Sequence, residues 1–197
     1  NYVGIGTGNN NVVIGRYAAA QMTSGATNTI VGHQAAAEIT TGGNNVGVGK
    51  NALASITTGI DNTVVGTYAG TLVGGGSYNT LMGYDAGSNG GGDGNVFVGR
   101  MAGNYNTASH IVAIGYNACL YNTTGTNNTA VGFQALINYK TVSYNTAVGY
   151  MCMGGGSASG GGNTGTQNTM MGRYTGHSIT TGNNNSAFGM EALYALT

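Results

Sequence analysis

Three histidines, five carboxylates and two cysteines are the natural candidates for acid–base, nucleophilic or metal chemistry in this chain of 197 residues. Metal sites draw their ligands from short, clustered spacings, whereas His33, His110 and His177 lie dozens of residues apart and no cysteine or carboxylate gathers beside them. General acid–base catalysis asks for carboxylates facing each other across a cleft. Glu38, Asp61, Asp85, Asp93 and Glu191 are scattered, and only Asp85 and Asp93 are close enough to meet locally. The glycine runs Gly74–Gly76, Gly90–Gly92, Gly154–Gly156 and Gly160–Gly162 lack the Lys-Ser/Thr pair and helix that complete a phosphate cradle. The segment Gly90–Gly94, with Asp93, carries a single copy of a pattern that binds calcium only when repeated. The expectation is no catalytic residue, no metal and no cofactor.

The elements behind these residues are written in glycine. Gly15, Gly32, Gly49, Gly66, Gly83, Gly99, Gly115, Gly132, Gly149, Gly172 and Gly189 recur at intervals of 17, 17, 17, 17, 16, 16, 17, 17, 23 and 17 residues. A short fixed period means one small unit stacked many times, because a single unit cannot bury its own apolar face. The pattern runs from end to end, so residues 1–197 read as a single repeat domain, with a loop insertion around 154–165 in the longest interval.

Each ruler glycine is counted as position zero. Position minus four is asparagine in ten of eleven units: Asn11, Asn28, Asn45, Asn62, Asn79, Asn95, Asn128, Asn145, Asn168 and Asn185, with Ile111 the exception. Positions minus three and minus one hold strand formers such as Val, Thr, Ile and Met. Alanine dominates plus three, and a second corner follows at the Thr-Thr-Gly or Thr-Ser-Gly triplets. The unit therefore reads as two short strands and two turns. At about 3.3 Å per residue, 17 residues have a contour of roughly 55 Å, enough to circle a flattened coil once. The fold class expected is all-β, a parallel β-solenoid of about twelve coils counting an opening one at Gly6. Identical residues then stack, and the asparagines form an amide ladder.

Position minus two is apolar or glycine throughout: Val13, Ile30, Gly47, Val64, Leu81, Phe97, Ala113, Ala130, Ala147, Met170 and Ala187. Strand side chains alternate in direction. With minus one and minus three taken as the interior positions, minus two faces outward as an apolar strip. That strip predicts self-association, with copies of the same chain as partners, in a homotrimer or an open polymer. Position plus one mixes Arg16, Lys50, Arg100 and Arg173 with His33, Tyr84, Tyr116, Phe133 and Tyr150. Cation–π packing along a rim accounts for it, and a glycan-binding strip is the sharper reading.

Five positive and five negative residues give no net charge, so a nucleic-acid partner is not expected. No stretch approaches the roughly 18 apolar residues of a membrane span. A neutral surface is poorly protected from association, which points either to assembly or to a glycan coat. The corner threonines Thr40, Thr41, Thr57, Thr58, Thr123, Thr124, Thr180 and Thr181 are candidate sites of O-linked sugar. Cys119 and Cys152 sit two coils apart, about 10 Å along the axis and beyond the roughly 7 Å Cα limit of a disulfide, and read as small buried thiols. Neither end carries an evident capping unit, so the chain reads as a processed product or an excerpt.

The units Asn128-Thr-Ala-Val-Gly-Phe-Gln-Ala-Leu136 and Asn145-Thr-Ala-Val-Gly-Tyr150, with Asn122-Thr-Thr-Gly125 between coils, resemble the head repeats of trimeric autotransporter adhesins and related repeats of phage tail fibres. The resemblance covers nearly the whole chain, although the period here is longer than is usual in those heads. It implies a left-handed parallel β-roll, three chains around one axis, and an extracellular, cell-surface or virion fibre. The function expected is a non-catalytic structural subunit of a self-assembling fibre, with an adhesive head or shaft module that grips a glycan or host surface as the alternative.

Overall fold

Every coil contributes one strand of three residues, placed at positions minus three to minus one. In the computed structural model, which describes residues 8–155 and 164–194, these are β1 (Val12–Ile14), β2 (Thr29–Val31), β3 (Val46–Val48), β4 (Thr63–Val65), β5 (Thr80–Met82), β6 (Val96–Val98), β7 (Val112–Ile114), β8 (Thr129–Val131), β9 (Thr146–Val148), β10 (Thr169–Met171) and β11 (Ser186–Phe188). They form one parallel sheet in chain order. The register follows the glycine ruler at every pairing, including Thr80 with Val96 across a 16-residue coil and Thr146 with Thr169 across the 23-residue one. About ten turns of a β-solenoid separate β1 from β11. The opening coil at Gly6 and most of the expected loop at 154–165 lie outside the described residues.

The ruler glycines turn the strand into the next corner with φ between 113° and 144°. No L side chain fits there. At Gly66, φ is 144° and an added Cβ would lie 2.3 Å from the carbonyl oxygen of Gly83 in the next coil. Stacking brings the two backbones too close for any side chain, which is why glycine recurs once per lap.

The second strand expected in each coil is absent from the described residues. A run of turns replaces it. Position plus two is left-handed in all eleven units, from Tyr17 (φ 59°) to Glu191 (φ 56°), and so is plus four, from Ala19 (φ 46°) to Leu193 (φ 48°). A left-handed residue at every second position curls the chain instead of extending it. Hydrogen bonding between coils continues through this run: the Ala19 amide donates to Ala35 O (2.9 Å), Ala36 to Ala52 O (2.8 Å) and Leu53 to Ala69 O (3.0 Å). A third left-handed column stands at minus five, where Asn10, Asn44, Asp61, His110, Asn127 and Asn184 are the residue types that tolerate it best.

Inside the lap, two positions share one slot. Minus two and plus four of the same coil are reciprocal in size: Gly47 with Leu53, Ala130 with Leu136, Ala147 with Met153, but Leu81 with Gly87, Phe97 with Gly103 and Met170 with Gly176. All twelve are buried. A Cβ on Gly103 would come within 2.5–2.7 Å of three Phe97 ring carbons. The core is therefore filled coil by coil, at the close packing of protein interiors. Position plus seven adds a second apolar column through Met22, Ile39, Ile56, Val73 and Ile179, all buried.

Candidate functional site

The asparagine column is the polar spine of the rod. Asn62 donates its backbone amide (3.0 Å) and its Nδ2 (2.9 Å) to Asn45 Oδ1, and its Nδ2 also donates to Gly76 O (2.9 Å). Its own Oδ1 accepts from the backbone (2.9 Å) and Nδ2 (3.1 Å) of Asn79. The same pattern links Asn11, Asn28 and Asn45, and again Asn145, Asn168 and Asn185. Side-chain amides thus satisfy buried backbone groups that the three-residue strands leave unpaired.

At Ile111 the ladder breaks, and the polar and apolar positions exchange. Asn106 takes the plus-seven place that Met22, Ile39, Ile56, Val73 and Ile179 fill in other coils, and its Nδ2 donates to Ala108 O (2.7 Å). Asn122 Nδ2 donates to Asn106 Oδ1 (2.6 Å) and to Gly125 O (2.7 Å). The amide moves across the corner and isoleucine fills the vacated apolar volume.

This spine sets the direction of every strand residue. With Asn at minus four pointing inward, alternation turns minus three outward, minus two inward and minus one outward. The expected outward strip is therefore corrected: Ile30, Val64, Leu81, Phe97, Ala113, Ala130, Ala147, Met170 and Ala187 are buried inside the coil and Val13 is half-buried against them. Gly47 is buried with them. The outward columns are minus three and minus one. Minus one remains apolar along the whole sheet, with Ile14 57%, Met82 47%, Met171 47% and Phe188 65% exposed, while minus three holds threonine or valine and, in β11, Ser186. Neither column holds a charge. The signal for this parity was in the sequence: the size reciprocity of minus two with plus four marks both as core, and small residues at minus two fit a narrow interior rather than a seam.

A second surface runs along the plus-one edge. Tyr116 and Phe133 stack at 5.3 Å and 8°, and Phe133 and Tyr150 at 5.1 Å and 6°. Arg100 sits between Tyr84 and Tyr116, 5.6 and 5.4 Å from their ring centres, and donates from Nη1 to the Tyr116 hydroxyl (3.0 Å). Arg173 lies over Tyr150 (5.9 Å) and Tyr174 (4.9 Å) at the other end. Stacked tyrosines also form a separate pair at plus six, Tyr105 with Tyr121, at 5.5 Å.

The remaining candidates are dispersed or enclosed. Among the described residues no group of three or more His, Cys, Asp or Glu side chains comes together in a way that could hold a metal ion. Asp93 accepts the Ser77 amide (2.8 Å), one rung of a polar ladder on the corner. Cys119 and Cys152 are free and buried; burial pushes their thiols up to about 12 and about 11. Burial likewise raises the Tyr139 phenol, whose hydroxyl donates to Ile179 O (2.7 Å) across the 23-residue coil. His177 is held below its ordinary value by burial between Tyr174 and a stacked Tyr194. Of the corner threonines, Thr40 and Thr123 donate their hydroxyls to carbonyls of the next coil, Thr57 O and Lys140 O (both 3.0 Å), and Thr57 is half-buried, whereas Thr41, Thr58, Thr124, Thr180 and Thr181 are exposed.

Compared with protein-family models, curated proteins and solved structures, the chain has no significant match to any of them. Among the described residues no helix is long and apolar enough to cross a membrane.

Proposed function

We propose that the chain is a non-catalytic structural subunit of an extracellular fibre, and that copies pack side by side through the outward face of the sheet. The observation that carries the reading is the minus-one column, apolar from Ile14 to Phe188 on a protein with no net charge. Ten strand steps of about 4.8 Å by a width of about 10 Å give roughly 500 Å² per copy, or roughly 1,000 Å² for a pair, the lower bound of a specific interface. Three copies around one axis, as in the fibre heads that the repeat resembles, would cover the face on each. Extracellular placement rests on the same resemblance. O-linked sugar belongs on Thr41, Thr58, Thr124, Thr180 and Thr181, which are exposed, and an intact mass of 19.6 kDa for material from its source would remove that part of the reading.

Light scattering on the full chain tests the assembly. Wild type is expected at three or more times the chain mass, and the double variant Val131→Glu, Val148→Glu at the mass of one chain with an unchanged circular dichroism spectrum. A wild-type mass of one chain at about 100 µM, well above the dissociation constants of specific complexes, would refute side-by-side packing through this face.

A further inference from the structure

Four of the five Lys and Arg side chains, Arg16, Lys50, Arg100 and Arg173, stand on the plus-one edge. Each is held against tyrosine: Arg16 over Tyr17 (4.6 Å), Lys50 over Tyr68 (5.3 Å), and Arg100 and Arg173 between two rings each. Arg16 and Arg100 also donate to tyrosine hydroxyls, at 2.9 and 3.0 Å. Among the described residues none of the four forms an ion pair. The cations are thus ordered in advance and not neutralised, in a chain that carries as many acids as bases.

The rings of the central stack offer little to a neutral sugar. Tyr116, Phe133 and Tyr150 present their faces to one another, with interplanar angles of 8° and 6°. Ring edges, hydroxyls and guanidinium N–H groups are what this edge turns outward. Spacing then selects the ligand: the cations stand two, three and four coils apart, about 10, 14 and 19 Å along the axis. Duplex DNA carries a charge every 1.7 Å or so and calls for a far denser basic surface. A polymer with one anionic group per sugar or disaccharide matches a sparse row.

We propose that the plus-one edge binds an acidic polysaccharide laid parallel to the rod, its carboxylates or sulfates taken singly by Arg16, Lys50, Arg100 and Arg173 and its hydroxyls meeting the tyrosine hydroxyls between them. The site lies beside the sheet face and does not depend on how copies assemble.

The test is isothermal titration of the full chain with polygalacturonate and chondroitin sulfate, which carry one anionic group per sugar, and with neutral dextran and duplex DNA, with mass by light scattering as a separate readout of assembly. Both acidic polysaccharides are expected to bind, neutral dextran not to, and DNA more weakly than either. The variant Arg100→Gln, Arg173→Gln is expected to bind about fivefold more weakly at unchanged mass, the worth of two exposed charge pairs. Lys140→Gln, off this edge, is expected to leave affinity unchanged. Raising salt from about 50 to about 200 mM should weaken wild-type binding, a measurement that needs no variant. Equal binding of neutral dextran, tighter binding of DNA, indifference to salt, or full affinity in the folded double variant would each overturn the proposal.

Discussion

Exchanging the large and small partners of a single coil should leave the solenoid nearly intact, although either change alone damages it. Phe97→Ala removes a buried ring and is expected to cost about 3–5 kcal/mol. Gly103→Leu puts a Cβ where the structure leaves 2.5–2.7 Å to three ring carbons, and three further carbons behind it. Overpacking of this kind costs about 1–3 kcal/mol or more. Simple addition gives a loss of roughly 4–8 kcal/mol, comparable to the whole stability of many domains. The double variant, however, recreates the Ala130 and Leu136 arrangement, and Leu136 already holds the left-handed conformation that plus four requires (φ 51°). We expect it to lie within about 1–2 kcal/mol of wild type, the remainder arising because Phe97 also reaches toward Gly87, where a Cβ would lie 3.0 Å from the ring. The coupling is then about 2 kcal/mol or more, in the upper part of the range for touching residues. Urea unfolding of all four proteins, followed by circular dichroism and by exchange of the amides around residues 97–103, measures it. A double variant as unstable as the sum of the two singles would show that minus two and plus four do not share one slot.

Further expectations follow from the spine, the ruler and the thiols. Gly66→Ala forces a Cβ to 2.3 Å from Gly83 O at φ 144° and should cost more than about 4 kcal/mol, read as loss of soluble folded protein on expression. Asn62→Leu strands Gly76 O and the two donors of Asn79, so a loss of about 3–6 kcal/mol is expected in urea unfolding; at the natural Ile111 the matching carbonyl, Gly125 O, is served instead by Asn122 Nδ2. Cys119 has its folded value raised by burial from 9.0 to about 12, so the unfolded chain loses this proton first. The contribution of this thiol is therefore constant below about pH 9 and is lost between about 9 and 12, and Cys119→Ala should lessen the fall in thermal melts taken across that range.

The glycine spacing was enough to place all eleven strands in register, because one close backbone contact per lap admits nothing but glycine. The amide ladder was equally legible, since asparagine stacked on asparagine can satisfy itself. The turn run was not: left-handed alanine, leucine and methionine at plus four carry no local signal, and the conformation is imposed by bonding between laps. The parity of the strand went wrong for a related reason. Bulky Val, Ile and Met at minus one look like core, which leaves the apolar minus two to be taken for a seam, yet the interior is so narrow that it takes one large side chain per lap, divided between two positions. The direction of Asn62 settles what residue size alone misreads. The plus-one edge is visible as a column, while the closure of its ring faces against one another follows from side-chain orientation between coils, which spacing does not set.

Strand register is kept across laps of 16, 17 and 23 residues alike. In the sequence, length variation falls between plus seven and the next asparagine. A foreign peptide spliced between Thr57 and Gly59 would thus leave the shaft undisturbed, and a whole lap could be duplicated or removed as a cassette. A molecule built in this way can change what it displays without redesigning what holds it up.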